Sequence, residues 1–295
     1  MPVRKDEHGN RSVEAEVEVP GSPEEVWRAI ATGRGISSWF VPSKVEEREG
    51  GTVVTSFGPG MDAVAKITKW DPPRGFIAES GEGQGEAEEG PGKVATEWTV
   101  EARSGGKCVV RVVHRWFADT DDWDGEFEGH AYGWATSFFR MLRLYLASYP
   151  GERCSAFQLS AFSRTTGPET WRTIRSALKI DDGDQRFTST PGSPELAGEV
   201  ERMEITDPEL LRVRESSPQV VAALEGMAGE EPELLLRLDR PAPGFAHLFI
   251  MPMGDQTMVS TRFHFFGDSG AAAAAVAERE WSGWLSERFP QEASA

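Results

Sequence analysis

The fold is decided by residues 123–148, WDGEFEGHAYGWATSFFRMLRLYLAS, a long stretch with helical periodicity. Its apolar side chains recur at steps of three and four residues, which brings them onto one side of an α-helix. They are Phe127, Ala131, Trp134, Phe138, Met141, Leu142 and Tyr145. The pattern predicts one continuous helix over 123–148, and this helix must bury its apolar side against another part of the chain.

The chain ahead of this helix has the pattern of β-strands. Residues 12–19, SVEAEVEV, alternate strictly between small apolar and polar side chains, as in a strand that is buried on one side. Further strands are predicted at 44–49, 52–57, 61–70, 76–80, 94–102 and 107–117. A meander of strands that ends in a long amphipathic helix predicts an α+β domain. In this arrangement, the helix grip, a curved antiparallel sheet wraps around the helix.

A short helix is predicted after the first strand. Ser22 is a favourable N-cap, and Glu25 three residues later completes a capping box. Gly33 and Gly35 are predicted to break this helix, and residues 36–40 to add one more helical turn. That turn delivers an aromatic pair at its end.

The second half of the chain repeats this outline in a diverged form. The segment 167–174, GPETWRTI, is similar to 23–30, PEEVWRAI, so that Trp171 stands in the place of Trp27. The motif is preceded by an apolar strand-like segment, as in the first half. The similarity therefore predicts that the same kind of domain occurs twice.

Two further features support the repeat. Asp207-Pro208 echoes Asp71-Pro72, and 270–289 has the pattern of a second closing helix. The sequence therefore predicts two tandem helix-grip domains, 1–150 and 151–295. The second is expected to lack a full ligand site, because it has no counterpart of the aromatic pair after the first helix.

Composition limits the classes of partner. The chain has 31 basic and 48 acidic residues and a net charge of −17, which disfavours binding to nucleic acid or to anionic membranes. No segment is apolar over the roughly 18 residues that a membrane span requires, and the first residues lack the apolar core of a secretory signal. With two cysteines, Cys108 and Cys154, we predict a cytoplasmic protein without disulfides or membrane insertion.

Four motifs in the first half, taken in order, resemble a known superfamily. They are SPEEVW at 22–27, WFVP at 39–42, ITKWDPPR at 67–74, and Gly133-Trp134. Together they are similar to the START/polyketide-cyclase superfamily, also called SRPBCC, and most of all to the family related to the activator of the heat-shock-protein-90 ATPase. The resemblance implies the helix-grip fold over about 12–147, with a pocket between sheet and helix. It does not imply one activity, because the superfamily includes lipid carriers, hormone receptors, ring cyclases, stress proteins and co-chaperones.

The candidate ligand site lies in that pocket. In the strand 107–117, His114 alternates with Arg111 and Arg115, and because arginines favour solvent the His114 side is predicted to face inward. An aromatic chamber with two histidines suits a flat apolar ligand held by one or two hydrogen bonds, and the same large side chains would also suit a filled core. The candidate residues are Trp39, Phe40, Phe57, Trp98, Val112, His114, Trp116, Phe127, His130, Trp134 and Phe138.

Three functions stay open at this point. The first is a binding protein without catalysis, which holds a hydrophobic or aromatic small molecule in the first domain. The second is a co-chaperone-like module with a protein partner, as the family resemblance implies. The third is a cyclase or dehydratase with His114 or His130 as general base. The five histidines lack zinc-ligand spacing and no phosphate loop is present, so no metal, cofactor or catalytic residue is assigned.

Overall fold

The computed structural model describes residues 3–6, 10–58, 61–80, 93–116, 123–181, 183–202, 205, 207–227 and 231–290. The chain forms two compact units. Unit 1 consists of Met1–Gly151 and Glu204–Val220, and unit 2 of Glu152–Met203 and Val221–Ala295. The segment Glu204–Val220 therefore lies within the second half of the sequence but clusters in space with unit 1.

Unit 1 contains one eight-stranded antiparallel sheet, and its strand order is β1-β2-β8-β7-β6-β5-β4-β3. The strands are β1 (Arg4–Lys5), β2 (Arg11–Pro20), β3 (Ser43–Val45), β4 (Thr52–Ser56), β5 (Asp62–Asp71), β6 (Gly75–Ser80), β7 (Val94–Arg103) and β8 (Lys107–Trp116). The helices are α1 (Pro23–Ala31), α2 (Gly33–Ser37), α3 (Asp124–Gly133) and α4 (Phe139–Ser148), with a π-helical turn at Trp134–Phe138. The closing helical segment packs against β2.

The pleat of β2 and β8 determines which side chains reach the interior. Val13 on β2 and Val112 and Trp116 on β8 are almost fully buried. On the opposite side of the same strands, Arg111 forms an ion pair with Glu16 at 2.9 Å near the solvent. The side of β8 that faces the helix is therefore the one that the alternation predicts.

The closing helical segment differs from the prediction of one continuous α-helix. A π-helical turn separates α3 from α4, and in it the amide of Phe139 donates to the carbonyl of Trp134. This turn holds more residues than an α-helical turn, so the apolar side is displaced by one position beyond it. Phe139 is fully buried, whereas Phe138, which the regular spacing places on the apolar side, is only partly buried.

The second short helix also begins earlier than predicted. α2 begins at Gly33, and Thr32 caps it by accepting a hydrogen bond from the amide of Gly35 at 2.9 Å. A Cβ atom on Gly35 would overlap the carbonyl oxygen of Arg28, so glycine permits the close approach of α2 to α1. Gly35 therefore lies within α2 and allows it to pack closely against α1, and it does not end a helix.

Unit 2 contains a six-stranded antiparallel sheet, with the order β10-β11-β12-β13-β14-β9. Its strands are β9 (Cys154–Ser163), β10 (Arg186–Thr188), β11 (Ala197–Val200), β12 (Glu233–Arg240), β13 (Gly244–Met253) and β14 (Gln256–Phe266). The helices of the second half are α5 (Gly167–Leu178), α6 (Pro208–Ser216), α7 (Pro218–Leu224) and α8 (Gly270–Arg288). Across the part of the chain that the structure describes, no helix is long and apolar enough to cross a membrane.

Unit 2 repeats the topology of unit 1 with fewer strands. Its first strand, β9, pairs with its last, β14, as β2 pairs with β8. A capping box begins the helix that follows the first strand in each unit, at Ser22 for α1 and at Thr166 for α5. Trp171 on α5 lies in the hydrophobic core, and α8 packs against β9 and β14. The prediction of two tandem helix-grip domains is confirmed.

One predicted correspondence between the halves is wrong. Asp71 ends strand β5, whereas Asp207 precedes helix α6, and its carbonyl accepts a hydrogen bond from the amide of Leu211 at 3.0 Å. The reason is that proline fits the first turn of a helix as well as it fits a turn between strands. The dipeptide Asp-Pro alone therefore does not distinguish the two structures.

Candidate functional site

The candidate site is an aromatic cluster between the sheet of unit 1 and its closing helical segment. Trp134, the first residue of the π-helical turn, lies at its centre. The distance between ring centroids is 5.3 Å from Trp134 to Phe40, 5.1 Å to Trp98 and 5.1 Å to Phe138. These distances lie in the range of direct ring contact. The structure thus brings residues from the segment after α2, from β7 and from the π-helical turn together around one indole ring.

The short helices α1 and α2 hold the aromatic pair at 39–40. The indole Nε1 of Trp39 donates to the carbonyl of Ala29 at 2.9 Å, which ties the pair to α1. The Phe40 ring stacks on Trp39 with 5.5 Å between centroids, and both side chains are buried. Phe57 extends the cluster outward, since its ring lies 5.8 Å from that of Phe40 and remains partly exposed.

His114 is the polar residue at the inner end of the cluster. Its ring centroid lies 6.2 Å from that of Trp134, and its Nδ1 lies 3.0 Å from the hydroxyl oxygen of Thr96. The other ring nitrogen, Nε2, is buried and has no hydrogen-bond partner among the described residues. Burial, with a smaller effect from His130, lowers the pKa of His114 to about 3, so the ring is neutral at physiological pH.

The neutral ring of His114 has two possible arrangements of its proton. If the Thr96 hydroxyl donates to Nδ1, then Nε2 carries the proton and can donate to a ligand. If Nδ1 donates to Thr96, then Nε2 is an acceptor. A ligand hydroxyl group would satisfy Nε2 in either arrangement, because it both donates and accepts.

A second, smaller group lies at the α3 end of the sheet. The rings of Trp116 and Phe127 stack with 4.0 Å between centroids, and they share a hydrophobic cluster with Val13 and Ala131. The indole Nε1 of Trp116 is also buried without a hydrogen-bond partner among the described residues. Val112, four residues before Trp116 on the same side of β8, is also buried. The predicted site residues therefore form two adjoining groups.

His130 lies at the edge of this second group. Its side chain is 54% exposed, its Nε2 lies 3.8 Å from a carboxylate oxygen of Glu126, and its ring centroid lies 5.5 Å from that of Phe127. Among the described residues, no hydrogen bond joins His130 to His114. The two histidines are therefore not arranged as a hydrogen-bonded acid–base pair.

An ion pair beside Trp116 was not anticipated from the sequence. Arg11, which is opposite Trp116 in the pairing of β2 and β8, forms an ion pair with Asp124 at 2.9 Å. The Arg11 side chain is only 9% exposed. The sequence does contain a signal for the inward position of Arg11. It lies two residues before Val13 in the alternating strand and therefore on the same side of the sheet. The described residues contain no group of three or more His, Cys, Asp or Glu side chains suited to a metal ion.

The chain is similar to one protein-family model and to several solved structures. A family model described as polyketide cyclase / dehydrase and lipid transport matches residues 10–144. No curated protein matches the chain in sequence. Among solved structures, CalU16 from Micromonospora echinospora is 20% identical with a TM-score of 0.38, and the match covers 50% of this chain and 83% of that one.

Two further solved structures are similar over one or both units. The Aha1 dimer from Colwellia psychrerythraea is 20% identical with a TM-score of 0.39, over 48% of this chain and 98% of that chain. The di-domain ARO/CYC BexL from the BE-7585A biosynthetic pathway is 13% identical with a TM-score of 0.42, over 96% of this chain and 100% of that chain.

The residues matched by the family model contain the whole aromatic cluster. They extend from β2 into α4, and so include Trp39, His114 and Trp134. The four motifs found in the sequence lie in the same part of the chain. Over residues 10–144, somewhat less than half of its length, the chain is therefore similar to the polyketide cyclase / dehydrase and lipid transport family.

Proposed function

We propose that unit 1 binds a hydrophobic or aromatic small molecule that carries a hydroxyl or carbonyl group, beside His114 and Trp134. The observation that carries this proposal is the buried Nε2 of His114, which lacks a partner among the described residues. A buried polar atom without a hydrogen bond costs about 1–3 kcal/mol, so such atoms are rare unless something else satisfies them. A polar group on an otherwise apolar ligand would satisfy this one.

The environment of that nitrogen supports a flat ligand. The rings of Trp134, Trp98 and Phe40 surround the inner cluster and offer apolar faces. Thr96 occupies Nδ1, so Nε2 is the ring nitrogen that remains for a ligand. The π-helical turn at Trp134 supports the proposal independently, because such turns occur frequently at functional sites.

Binding is favoured over proton transfer by the electrostatics of His114. A general base works best when its pKa is close to the pH at which the enzyme operates. With its pKa lowered to about 3 by burial, His114 is a weak base at neutral pH. A neutral imidazole of this kind is suited to hold a hydrogen bond, and we therefore prefer a binding function to a cyclase or dehydratase.

The test compares two ligands of the same shape, naphthalene and 1-naphthol, by quenching of tryptophan fluorescence and by calorimetry. The wild-type protein should bind 1-naphthol about tenfold more tightly than naphthalene, which corresponds to one buried hydrogen bond. His114→Phe should bind the two ligands equally. Arg115→Gln is the matched control, because Arg115 lies on the outer side of the same strand and pairs with Glu97.

Two results would contradict the proposal. In the first, neither ligand binds to the wild-type protein in the micromolar to millimolar range. In the second, His114→Phe keeps the preference for 1-naphthol, which would place the hydroxyl group somewhere other than Nε2.

A further inference from the structure

Helix α6 belongs to the second half of the sequence but to unit 1 in space. We propose that α6 is a latch that holds helix α3 closed over the ligand site of unit 1, and that its release admits the ligand. The role in ligand access rests on the proposed function. The fastening of α3 by α6 does not depend on it.

The central contact of the latch is the carboxylate of Glu128 on α3. Its Oε1 accepts a hydrogen bond from Nη2 of Arg212 on α6 at 2.9 Å and another from the amide of Val3 at 3.2 Å. The Glu128 side chain is 16% exposed and the Arg212 side chain 42%. A carboxylate that is shielded from water on one side and receives two donors joins three distant parts of the chain at one point.

Close contacts at the end of α6 extend the latch along α3. Val213 on α6 is fully buried, and Ser217, directly after α6, donates through its hydroxyl to the carbonyl of Gly125 at 3.3 Å. A Cβ atom on Gly125 would lie 3.3 Å from Cδ of Pro218, which is tighter than most real Cβ contacts. Glycine at 125 therefore allows this close approach between α3 and the segment that follows α6.

Helix α3 needs such external support, because its own sequence is a poor helix former. Three of its ten residues are glycine, at 125, 129 and 133, and each costs about 1 kcal/mol relative to alanine in a helix interior. Its continuation into α4 is interrupted by the π-helical turn. Since helical stability in proteins comes mainly from tertiary packing, a helix of this composition depends on its neighbours.

The position of α3 connects the latch to the site. Phe127 on α3 covers Trp116, which is two residues from His114 on β8 and faces the same side of the sheet. Movement of α3 about the π-helical turn would lift Phe127 from Trp116 and open this second group, which adjoins the aromatic cluster through His114 on β8. α6 thus gives the second half of the chain a role in the first unit.

The experiment uses the full chain and measures hydrogen exchange of the α3 amides together with stopped-flow kinetics of 1-naphthol. Arg212→Gln should speed exchange in α3 about fivefold, the effect of losing one partly shielded ion pair. The association and dissociation rates of 1-naphthol should rise together, with the Kd changed less than about twofold. Arg212→Lys should lie closer to the wild type, and the control Arg103→Gln, which breaks an exposed ion pair with Glu101, should change neither measurement.

The possible results distinguish the role of α6 in holding α3 from the binding of a ligand in unit 1. Unchanged exchange in α3 would overturn the latch. Faster exchange with unchanged 1-naphthol rates would overturn its control of access. If the wild-type protein does not bind 1-naphthol at all, the proposed function fails, and the exchange measurement still decides whether α6 holds α3.

Discussion

His114 and Thr96 face each other across strands β8 and β7, with 3.0 Å between the imidazole Nδ1 and the threonine hydroxyl oxygen. The two residues are directly paired in the register of the sheet, so the backbone fixes their separation. Nδ1 is thereby occupied within the sheet, and Nε2 is buried without a hydrogen-bond partner among the described residues. His114 therefore differs from an ordinary buried histidine, in which both ring nitrogens form hydrogen bonds within the protein.

The first prediction concerns this pair. Thr96→Val should lower the free energy of unfolding by about 1 kcal/mol, because Nδ1 loses its partner while it remains buried. Thr99→Val is the control, since Thr99 lies on the same strand with the opposite parity, opposite Arg111. It should change the stability by less than about 0.5 kcal/mol. Urea unfolding of the two variants checks the difference, and equal losses would show that the hydrogen bond contributes nothing.

The second prediction concerns pH. The pKa of His114 is lowered from 6.5 to about 3 by burial, so the unfolded chain binds a proton in this interval that the folded chain does not. The stabilising contribution of the neutral ring is thus fully present above pH 6.5 and is lost as the pH falls toward 3. The slope from this residue is up to about 1.4 kcal/mol per pH unit.

The measurement compares wild type with His114→Phe in urea unfolding between pH 7 and pH 5. The difference in unfolding free energy between the two proteins should shift in favour of the variant as the pH falls, because phenylalanine cannot take up the proton. Carboxylates titrate equally in both proteins and cancel in this difference. Parallel pH profiles would mean that the ring is protonated in the folded state as readily as in the unfolded chain.

Most of the architecture could be predicted from the sequence, because alternation and helical spacing report directly on burial. The inward side of β8 and the capping box at Ser22 are examples. The exposure of His130 could not be predicted. Position 130 is three residues after Phe127 and four before Trp134, so it lies at the border of the apolar stripe. Spacing does not determine on which side of that border a side chain lies.

The contact between Glu128 and Arg212 was also beyond sequence reasoning. The two residues are 84 positions apart, and neither belongs to a motif. The segment that contains Arg212 lies within the range of the second predicted domain. Nothing in its local pattern indicates that it packs against the first domain. Contacts of this kind depend on the three-dimensional path of the chain, which local periodicity does not encode.

The third prediction concerns the repeat. Ser22→Ala and Thr166→Ala should each lower the free energy of unfolding by about 1 kcal/mol, because each removes the hydroxyl that caps the equivalent helix in its unit. Ser286→Ala is the control, since its exposed hydroxyl only donates to the carbonyl of Ser282 within α8. It should be neutral or slightly stabilising. A large loss for one cap and none for the other would mean that the two helices do not play equivalent parts.

The last prediction concerns the π-helical turn. Deletion of Ala135 removes the extra residue, so the turn can close as an α-helix while α3 and α4 keep their orientation. We expect the deletion variant to fold with a stability within about 1 kcal/mol of the wild type. Its affinity for 1-naphthol should fall at least about tenfold, because Trp134 and Phe138 no longer keep their relative positions.

Deletion of Arg143 is the control for this experiment. Arg143 is exposed within α4, and its removal would rotate every later residue of the helix by about 100°. Met141 and Leu142 would keep their burial, whereas Tyr145 and Leu146 would leave the core. The loss in unfolding free energy should be at least about 3 kcal/mol. If the deletion of Ala135 were equally destabilising, the π-helical turn would be required for folding itself, and its connection with the ligand site would be lost.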